Sequence, residues 1–330
     1  MVLALPFLVK KIEDNLEAFL FVVGCTAVSL TAQWSTFLIR EALTAPVKIT
    51  AAVFVSGFLF RSLQKFIAES INKVIGTVGI RWFVFLIIAA LGFLSSAITA
   101  IIASLILVEI VNCLGVNRKT KIKIVVLACF SIGFGAALTP IGEPLSTIVI
   151  AKLQGDPYQA DFFFLARHLG YYIASAVAAF GLIGIIVTNP DYKKGPAVCQ
   201  YTHETVKDIF IRTGKVYLFV MALIFLGSGF KPLIDTFISK IPYQGLYWIN
   251  MISAILDNAT LAAAEIGPSL EMVQIKAALL GLLISGGMLI PGNIPNIIAA
   301  GKLRIKSSEW AEFGIPLGLI TMVIYFLCMR

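Results

Sequence analysis

The stretch SAILDNATLAAAEI, residues 253–266, sets Asp257 and Asn258 inside an apolar run of small residues. A carboxylate at membrane depth is costly, and by default it marks an ion or substrate path. A second stretch, SAITAIIASLILVEI at residues 96–110, starts with the same Ser-Ala-Ile and reaches Glu-Ile at nearly the same distance. The two stretches lie about half of the chain apart, and their shared frame indicates an internal duplication.

Composition indicates a membrane protein. Of the 330 residues, 59% are hydrophobic and 13% are charged, and the mean hydropathy is +0.93. A soluble globule of this size needs more charged residues to cover its surface. Several apolar runs reach the roughly 20 residues that a helix needs to cross hydrocarbon. Because these runs lack the alternation of an outer-membrane barrel, we predict an all-α integral membrane protein.

The net charge of +8 does not indicate a nucleic-acid partner, because the basic residues lie in short loops between apolar runs. Positive-inside topology explains these loops better, and NRKTKIK at residues 117–123 marks the cytoplasmic side. Residues 1–15 carry their apolar residues before their charges, the reverse of a signal peptide. We interpret them as a short membrane-dipping helix or the remnant of a first span, with the N-terminus in the cytoplasm.

The cysteines carry no metal or disulfide signature. They are scattered without a C-x-x-C pair, and most of them lie in apolar segments. We therefore interpret all of them as small core side chains, and we expect no cofactor.

The first half, residues 1–188, contains two long apolar runs that straight spans do not explain. Residues 82–114 are too long for one span and are broken near Gly92 by small residues, so we expect a re-entrant hairpin. Residues 124–153 are interrupted by GFGAALTPIGEP at 133–144. Proline removes a backbone donor and glycine permits extended backbone, so this helix should break. The breaking residues are Pro140, Gly142 and Pro144.

The second half, residues 216–330, repeats this plan after a polar segment at 189–215 that we interpret as a cytoplasmic linker. We expect a hairpin at 243–266 and a second broken helix at 273–303. The interruption of this helix, GGMLIPGNIP at 286–295, carries two prolines separated by three residues, as the first interruption does. The breaking residues are Pro291, Gly292 and Pro295.

Charge gives the relative orientation of the two halves. The loop after the first hairpin, at 117–123, is basic, whereas the loop after the second, at 265–271, is acidic. Because positive charge marks the cytoplasm, the hairpins should open to opposite sides of the membrane. The sequence therefore predicts an inverted-repeat transporter with two re-entrant hairpins and two broken transmembrane helices.

Paired broken helices point to a central transport site, because half-helix ends leave backbone groups for a ligand. Asp257 and Glu143 are the carboxylates among its expected side chains, which include no lysine or arginine. Carboxylate, amide and hydroxyl oxygens suit Na⁺, Li⁺, H⁺ or Ca²⁺ better than soft metals, so both acids are candidate Na⁺ ligands. The expected ion- or substrate-binding residues are Asp257, Asn258, Glu143, Asn293, Asn296, Thr139, Ser253, Thr260, Ser95, Ser96 and Thr99.

These residues also have structural interpretations. Asp257 and Asn258 could cap a helix, Glu143 could face an aqueous vestibule, and the hydroxyl residues could let helices approach closely. Glu109 and Glu265 recur in both halves, but their predicted depth near the hairpin mouths favours anchoring at the membrane interface.

A cation/proton antiporter, with Na⁺ as the first candidate, fits an acidic site that can hold either a proton or a cation. A Na⁺-coupled symporter or exporter of a small solute or anion is the alternative. An intramembrane aspartyl hydrolase would use Asp257 and Glu143 as a proton-sharing pair. Inverted broken helices serve transport and not catalysis, so we expect no enzymatic activity.

At these residues the chain resembles the ion transporter superfamily, which includes the NhaB and NhaD sodium/proton antiporters, the arsenite-efflux permeases and the divalent anion/sodium symporters. Within it the chain is most similar to a small prokaryotic branch of proposed cation transporters. The matching pieces are SAILDNATLAA at 253–263, GFGAALTPIGEPLSTIVIA at 133–151 and GGMLIPGNIPNIIAAG at 286–301.

The resemblance implies a homodimer in the lipid bilayer of a prokaryotic plasma membrane, with elevator-like movement of a small cation and a proton. By position, Asp257 and Asn258 would match the acidic hairpin motif of the antiporters, and residues 140–144 and 291–296 their unwound centres. The first hairpin lacks the Asn or Asp that relatives often carry, and the second lacks the Ser-Asn-Thr signature of dicarboxylate carriers. The first departure argues against symmetric two-cation binding, and the second argues against dicarboxylate transport. Because only the second hairpin carries the Asp-Asn pair, we expect Asp257 to be the dominant carboxylate.

Overall fold

The computed structural model describes residues 15–44, 46–47, 50–51, 54–55, 76–188, 206–237, 241–256 and 258–329. Within these ranges the chain is helical and contains no strand, so the predicted all-α class is confirmed. The N-terminal segment up to residue 14, the linker residues 189–205 and Asp257 lie outside them.

The helices alternate between long spans and short pieces that begin after a break. In the first half they are α1 (Leu16–Leu30), α2 (Ile80–Ile98), α3 (Ala100–Cys113), α4 (Arg118–Ala136), α5 (Pro144–Lys152) and α6 (Phe164–Val187). In the second half they are α7 (Val206–Phe237), α8 (Tyr243–Ile249), α9 (Asn258–Glu265), α10 (Met272–Gly286), α11 (Ile294–Leu303) and α12 (Ser307–Cys328). Two 3₁₀ segments, Asn250–Ala254 and Ile290–Gly292, precede α9 and α11.

Three of the described helices, α2, α6 and α12, are long and apolar enough to cross a membrane. Helices α3 and α10 are apolar but shorter. Helix α2 continues through Gly92 and Ser96 and ends at Ile98, so the chain does not break at the small residues as expected. It turns at Thr99 instead, which has a positive φ of 74°.

Helices α4 and α10 form the centre of the bundle. All residues of α4 from Ile124 to Ala136 are buried, as are those of α10 from Ala277 to Gly286. A helix that is apolar on every face must be covered either by other protein segments or by lipid. Helices α2 and α6 pack against α4, while α8 and the 3₁₀ segment Asn250–Ala254 pack against α10.

Glycine residues allow the backbones of α2 and α4 to come into direct contact. A Cβ built on Gly135 would lie 1.7 Å from the carbonyl oxygen of Gly92. Serine hydroxyls join the same two helices, because Ser131 Oγ donates to the Ile88 carbonyl at 2.8 Å and Ser95 Oγ to the Ile132 carbonyl at 3.0 Å. Gly92 therefore serves helix packing and not a helix break.

Polar contacts tie the two halves together at both ends of the bundle. At one end, Arg118 at the start of α4 forms an ion pair with Glu309 of α12 at 2.7 Å and donates to the carbonyl of Arg304. At the other end, the hydroxyl of Tyr158, between α5 and α6, donates to the carbonyl of Leu270, between α9 and α10. The loops that follow α3 and α9 thus lie at opposite ends.

Helices α1 and α7 form a closely packed pair beside this core. Glycine again allows the approach, since a Cβ on Gly229 would lie 2.6 Å from the Cβ of Ala27. Lys215 Nζ lies 2.8 Å from Glu17 Oε1 across the same interface. The pair contacts the core through a buried cluster that includes residues of α3 and α11.

Cysteine use differs from the expectation at one position. Cys25, Cys129 and Cys328 are free thiols, whereas Cys113 is disulfide-bonded. The interpretation of every cysteine as a plain core side chain is therefore wrong for Cys113. Cys113 is itself buried, so its apolar surroundings did not distinguish the two roles.

Candidate functional site

The predicted site residues fall into two groups, one at each helix break. Asp257 lies outside the described residues, and the side chain of Thr260 is not described either. The first group comprises Ser95, Ser96, Thr99, Thr139, Pro140, Gly142, Glu143 and Pro144. The second comprises Ser253, Asn258, Pro291, Gly292, Asn293, Pro295 and Asn296.

The first break joins the end of α4 to the start of α5 and is hydrogen-bonded to the α2–α3 junction. The backbone N–H of Ala100 donates to the Gly142 carbonyl at 2.8 Å, and Thr139 Oγ1 donates to the Ser96 carbonyl at 2.5 Å. Gly142 is required here, because an added Cβ would lie 2.0 Å from the carbonyl oxygen of Ala136. The predicted hairpin and the predicted break therefore meet as one unit.

Thr99 occupies a strained position at the α2–α3 junction. Its φ of 74° lies in the left-handed half of backbone space, which a β-branched residue rarely adopts. Thr99 Oγ1 accepts a hydrogen bond from the Ile102 N–H at 3.3 Å and caps α3. Backbone strain of this kind persists where surrounding structure enforces it, and it is frequent at functional sites.

The hydroxyls of Ser95 and Ser96 have partners within their own helix. Ser95 Oγ donates to the Gly92 carbonyl at 2.6 Å, and Ser96 Oγ donates to the Phe93 carbonyl at 2.7 Å. Ser95 is fully buried between α2 and α4. These contacts favour the structural interpretation of both serines over ligand binding.

The second break is held by Asn296. Its Nδ2 donates to the carbonyls of Gly286 and Leu289, both at 2.8 Å, so the side chain links α11 to the end of α10. Gly292 packs against the second predicted hairpin, because an added Cβ would lie 2.6 Å from the carbonyl oxygen of Ser253. Pro295, the second residue of α11, fits a helix start, where a missing N–H costs little.

Asn258 and Ser253 converge on the end of α10. A Cβ built on Gly286 would lie 3.5 Å from Asn258 Nδ2 and 3.6 Å from Ser253 Oγ. Ser253 Oγ also donates weakly to the Leu282 carbonyl at 3.4 Å. The structure thus brings the Asn258 amide and the Ser253 hydroxyl together at Gly286, where the second break begins.

The two breaks meet where α4 crosses the start of α11. A Cβ built on Gly133 would lie 2.7 Å from Asn293 Nδ2, so the amide sits directly against α4. Close by, Cys129 Sγ donates to the Pro295 carbonyl at 3.7 Å, and Gly287 lies against the ring of Phe130. This crossing joins the halves at the place where both central helices are interrupted.

Glu143 and Asn293 occupy matching positions in the two breaks. Each is the residue before a short helix, with extended backbone: φ and ψ are −155° and 161° at Glu143, and −151° and 146° at Asn293. Both are buried, at 5% and 3% exposure. Neither side chain caps the helix that follows it.

Helix ends of both polarities gather at this site. Helices α3, α5, α9 and α11 begin here, and α2, α4 and α10 end here. Helix N-termini supply N–H groups and partial positive charge, whereas C-termini supply carbonyl oxygens and partial negative charge. The backbone can therefore contribute ligands of either sign.

The side chains make the site acidic. Residues 92–104, 131–147, 250–262 and 281–299 contain Glu143 and Asp257 but no lysine, arginine or histidine. Two amide atoms, Asn258 Nδ2 and Asn296 Oδ1, are buried without a hydrogen-bond partner. Buried polar atoms are usually satisfied. The Asn296 oxygen can accept a donor or ligate a cation, whereas the Asn258 N–H group needs an acceptor.

The arrangement fits a hard cation better than a transition metal. Within the described ranges, no group of three or more His, Cys, Asp or Glu side chains is placed to hold a metal ion. Amide, hydroxyl and carbonyl oxygens around one or two carboxylates are the ligands of alkali and alkaline-earth ions.

Two buried polar residues near this site were not among the predicted ligands. Glu265, expected at the membrane interface, is buried at 7% exposure, and Asn250 is fully buried. Asn250 lies three residues before Ser253 in the same apolar run, so its polarity was a usable signal. The recurrence of Glu265 and Glu109 in both halves was another.

Comparison with known proteins identifies one family. No curated protein matches the chain. The model of DUF1646, described as a protein of unknown function, matches residues 1–330, which is the whole chain. The chain therefore belongs to the DUF1646 family.

Proposed function

We propose that the chain is a secondary active transporter that exchanges a small inorganic cation, Na⁺ in the first instance, for protons. One observation carries the proposal: two interrupted helices meet at Gly133 and Asn293, and the carboxyl of Glu143 is buried within the first of the two breaks. Paired broken helices with an acidic centre suit cation transport, because half-helix ends and carboxylates replace the hydration of the ion.

The contacts between helices support an inverted repeat. Helix α3, the second arm of the first predicted hairpin, packs against α11, which follows the second break. Helix α9, the second arm of the second predicted hairpin, packs against α5, which follows the first break. This reciprocal exchange is the pattern expected of two re-entrant hairpins and two broken helices related by a two-fold axis in the membrane plane.

In the proposed cycle, Asp257 is the exchange carboxylate and Glu143 assists it. A cation entering the site meets these acids and the amide oxygens of Asn258 and Asn293, which become available when the amides rotate. A proton on the acid removes the charge that holds the cation. Binding of one therefore displaces the other, which is sufficient for antiport.

The resemblance to the ion transporter superfamily extends the proposal to a homodimer in a prokaryotic plasma membrane and to elevator-like movement. In such a movement the α1–α7 pair would be the part that stays fixed in the membrane, since it has its own buried cluster that includes Val28 and Phe225. The core of α2–α6 and α8–α12 would then carry the ion.

A Na⁺-coupled carrier of a small anion is the second candidate. The specific observation in its favour is that α5 and α11 both begin at the site, with N-termini that attract negative charge. In this case the same acids hold the coupling ion and the helix N-termini hold the anion.

Ion flux into proteoliposomes distinguishes the two candidates. Purified protein is reconstituted, and proton movement is followed after gradients of Na⁺, Li⁺, K⁺ or Ca²⁺ are imposed at several pH values. The proposal predicts proton movement driven by Na⁺ without any organic anion. Absence of proton movement, together with anion uptake that collapses without a Na⁺ gradient, would establish the second candidate instead.

A further inference from the structure

Glu265 and Asn250 form a buried polar pair outside the proposed cation site. Glu265 is the last residue of α9 and is 7% exposed, while Asn250 is fully buried. The Asn250 amide lies close to the Glu265 carboxyl. Glu265 Oε2 and Asn250 Oδ1 nevertheless have no hydrogen-bond partner. Two buried acceptor oxygens therefore lack a donor.

Helix α10 fixes the position of Asn250. Asn250 Nδ2 donates to the Ala278 carbonyl at 3.3 Å, and the Asn250 carbonyl accepts from Ser285 Oγ at 2.6 Å. A Cβ built on Gly281 would lie 3.0 Å from the Cβ of Asn250, so α10 leaves no room for the residue to move away. The position of Asn250 is therefore fixed by the packing of the core.

Glu109, the counterpart of Glu265 in the first half, has a different environment. Lys302 Nζ lies 3.7 Å from Glu109 Oε1, so a positive charge is available to balance that carboxylate. Within the described side chains, Glu265 makes no ion pair. The elements that pack against α9 are α5, α7, α10 and the 3₁₀ segment Asn250–Ala254. The charged residues of these elements are Lys152, Lys207, Asp208, Arg212, Lys215, Lys231, Asp235 and Lys276, and Glu143 and Glu271 directly precede α5 and α10.

A buried carboxylate without a balancing charge is unfavourable, and a proton on Oε2 removes that charge. We propose that Glu265 is a proton-binding carboxyl, held neutral by its burial, and that it carries a second proton of the exchange cycle in addition to the proton on Asp257. The protonation of Glu265 does not depend on the transport proposal, whereas its role in coupling rests on that proposal.

The loop after α9 gives this proton a path to water. Pro268 and Ser269 are exposed within four residues of Glu265. On release, the proton leaves Oε2 for water and Glu265 becomes a carboxylate. The cation that binds at the central site replaces the lost positive charge in the core. Cation binding and proton release are thereby linked electrostatically between two sites.

Infrared spectroscopy of the protein in lipid tests the protonated state directly. At neutral pH the wild-type protein should show a protonated-carboxyl C=O band that Glu265→Gln lacks. The matched variant Glu109→Gln should leave this band unchanged, because Glu109 is balanced by Lys302. A band that survives Glu265→Gln, or a wild-type protein without the band, would overturn the proposal. Asn250→Ala, which retains the carboxyl, should shift the band, and an unshifted band would assign it to another acid.

Transport then tests the coupling role. In proteoliposomes, Glu265→Gln should keep the exchange of radioactive Na⁺ for unlabelled Na⁺ near the wild-type rate. The number of protons moved per Na⁺ should fall about twofold, because only the proton on Asp257 is still exchanged. An unchanged ratio of protons to Na⁺ would refute coupling through Glu265. If the wild-type protein moves no Na⁺, the transport proposal fails instead, and the infrared result still decides the protonation of Glu265.

Discussion

Replacing Gly133 by alanine tests whether the two helix breaks meet. The added Cβ would lie 2.7 Å from Asn293 Nδ2. Ordinary contact is about 3.5 Å, so the atoms would be about 0.8 Å too close. Overpacking of a tight core costs about 1–3 kcal/mol, and we expect the lower half of that range because the clash involves the end of a side chain. Gly301→Ala is the matched control, since a Cβ there meets nothing within 4 Å.

A double-mutant cycle isolates the contact. Asn293→Ala removes the amide that the new methyl group strikes, so Gly133→Ala should cost little in its presence. The predicted interaction energy is about 1 kcal/mol, measured by unfolding in mixed micelles and followed by circular dichroism. Additive effects of the two substitutions, within about 0.5 kcal/mol, would refute the crossing of α4 and α11 at these residues.

Three further predictions concern packing, the second break and pH. Gly135→Ala should destabilise by about 3 kcal/mol or more, because its Cβ would meet a backbone oxygen of α2 at 1.7 Å. Gly301→Ala should melt at or above the wild-type temperature, because alanine favours the helix and its Cβ meets nothing within 4 Å. Asn296→Ala should cost about 2 kcal/mol or more in the same unfolding assay, since it leaves two buried carbonyls without their donor. Hydrogen bonds from Arg167 hold the pKa of Asp161 below its usual range. The stabilisation from Asp161 should therefore be present above the ordinary Asp range and disappear as the pH falls through the lowered pKa. The stability difference between wild type and Asp161→Asn should narrow on acidification, and a constant difference would contradict this.

The helix breaks were predictable because proline and glycine restrict the backbone locally. Helix α4 ends at Ala136 and α11 begins at Ile294, and both residues lie inside the interruptions expected from the sequence. The first hairpin was placed less well. Gly92 looked like a break, but it lies within α2 and allows close approach to α4. Local composition does not distinguish a glycine that ends a helix from one that packs against another helix.

The contacts of the site were not predictable in the same way. That Asn293 lies against Gly133 depends on how two distant segments cross, which no local pattern encodes. The environment of Glu265 is a second example, because its burial follows from the packing of α9 against four elements. Residue type thus indicated which polar groups were candidates for the site, while tertiary packing decided which of them lie together.

Proton movement in proteoliposomes carrying Asp257→Asn tests the central claim most directly. An imposed Na⁺ gradient should drive proton movement with the wild-type protein and none with Asp257→Asn. Asp156→Asn, which alters an exposed loop acid, should behave as the wild type. Full Na⁺-driven proton movement by Asp257→Asn would contradict a cation/proton exchange site centred on this carboxylate.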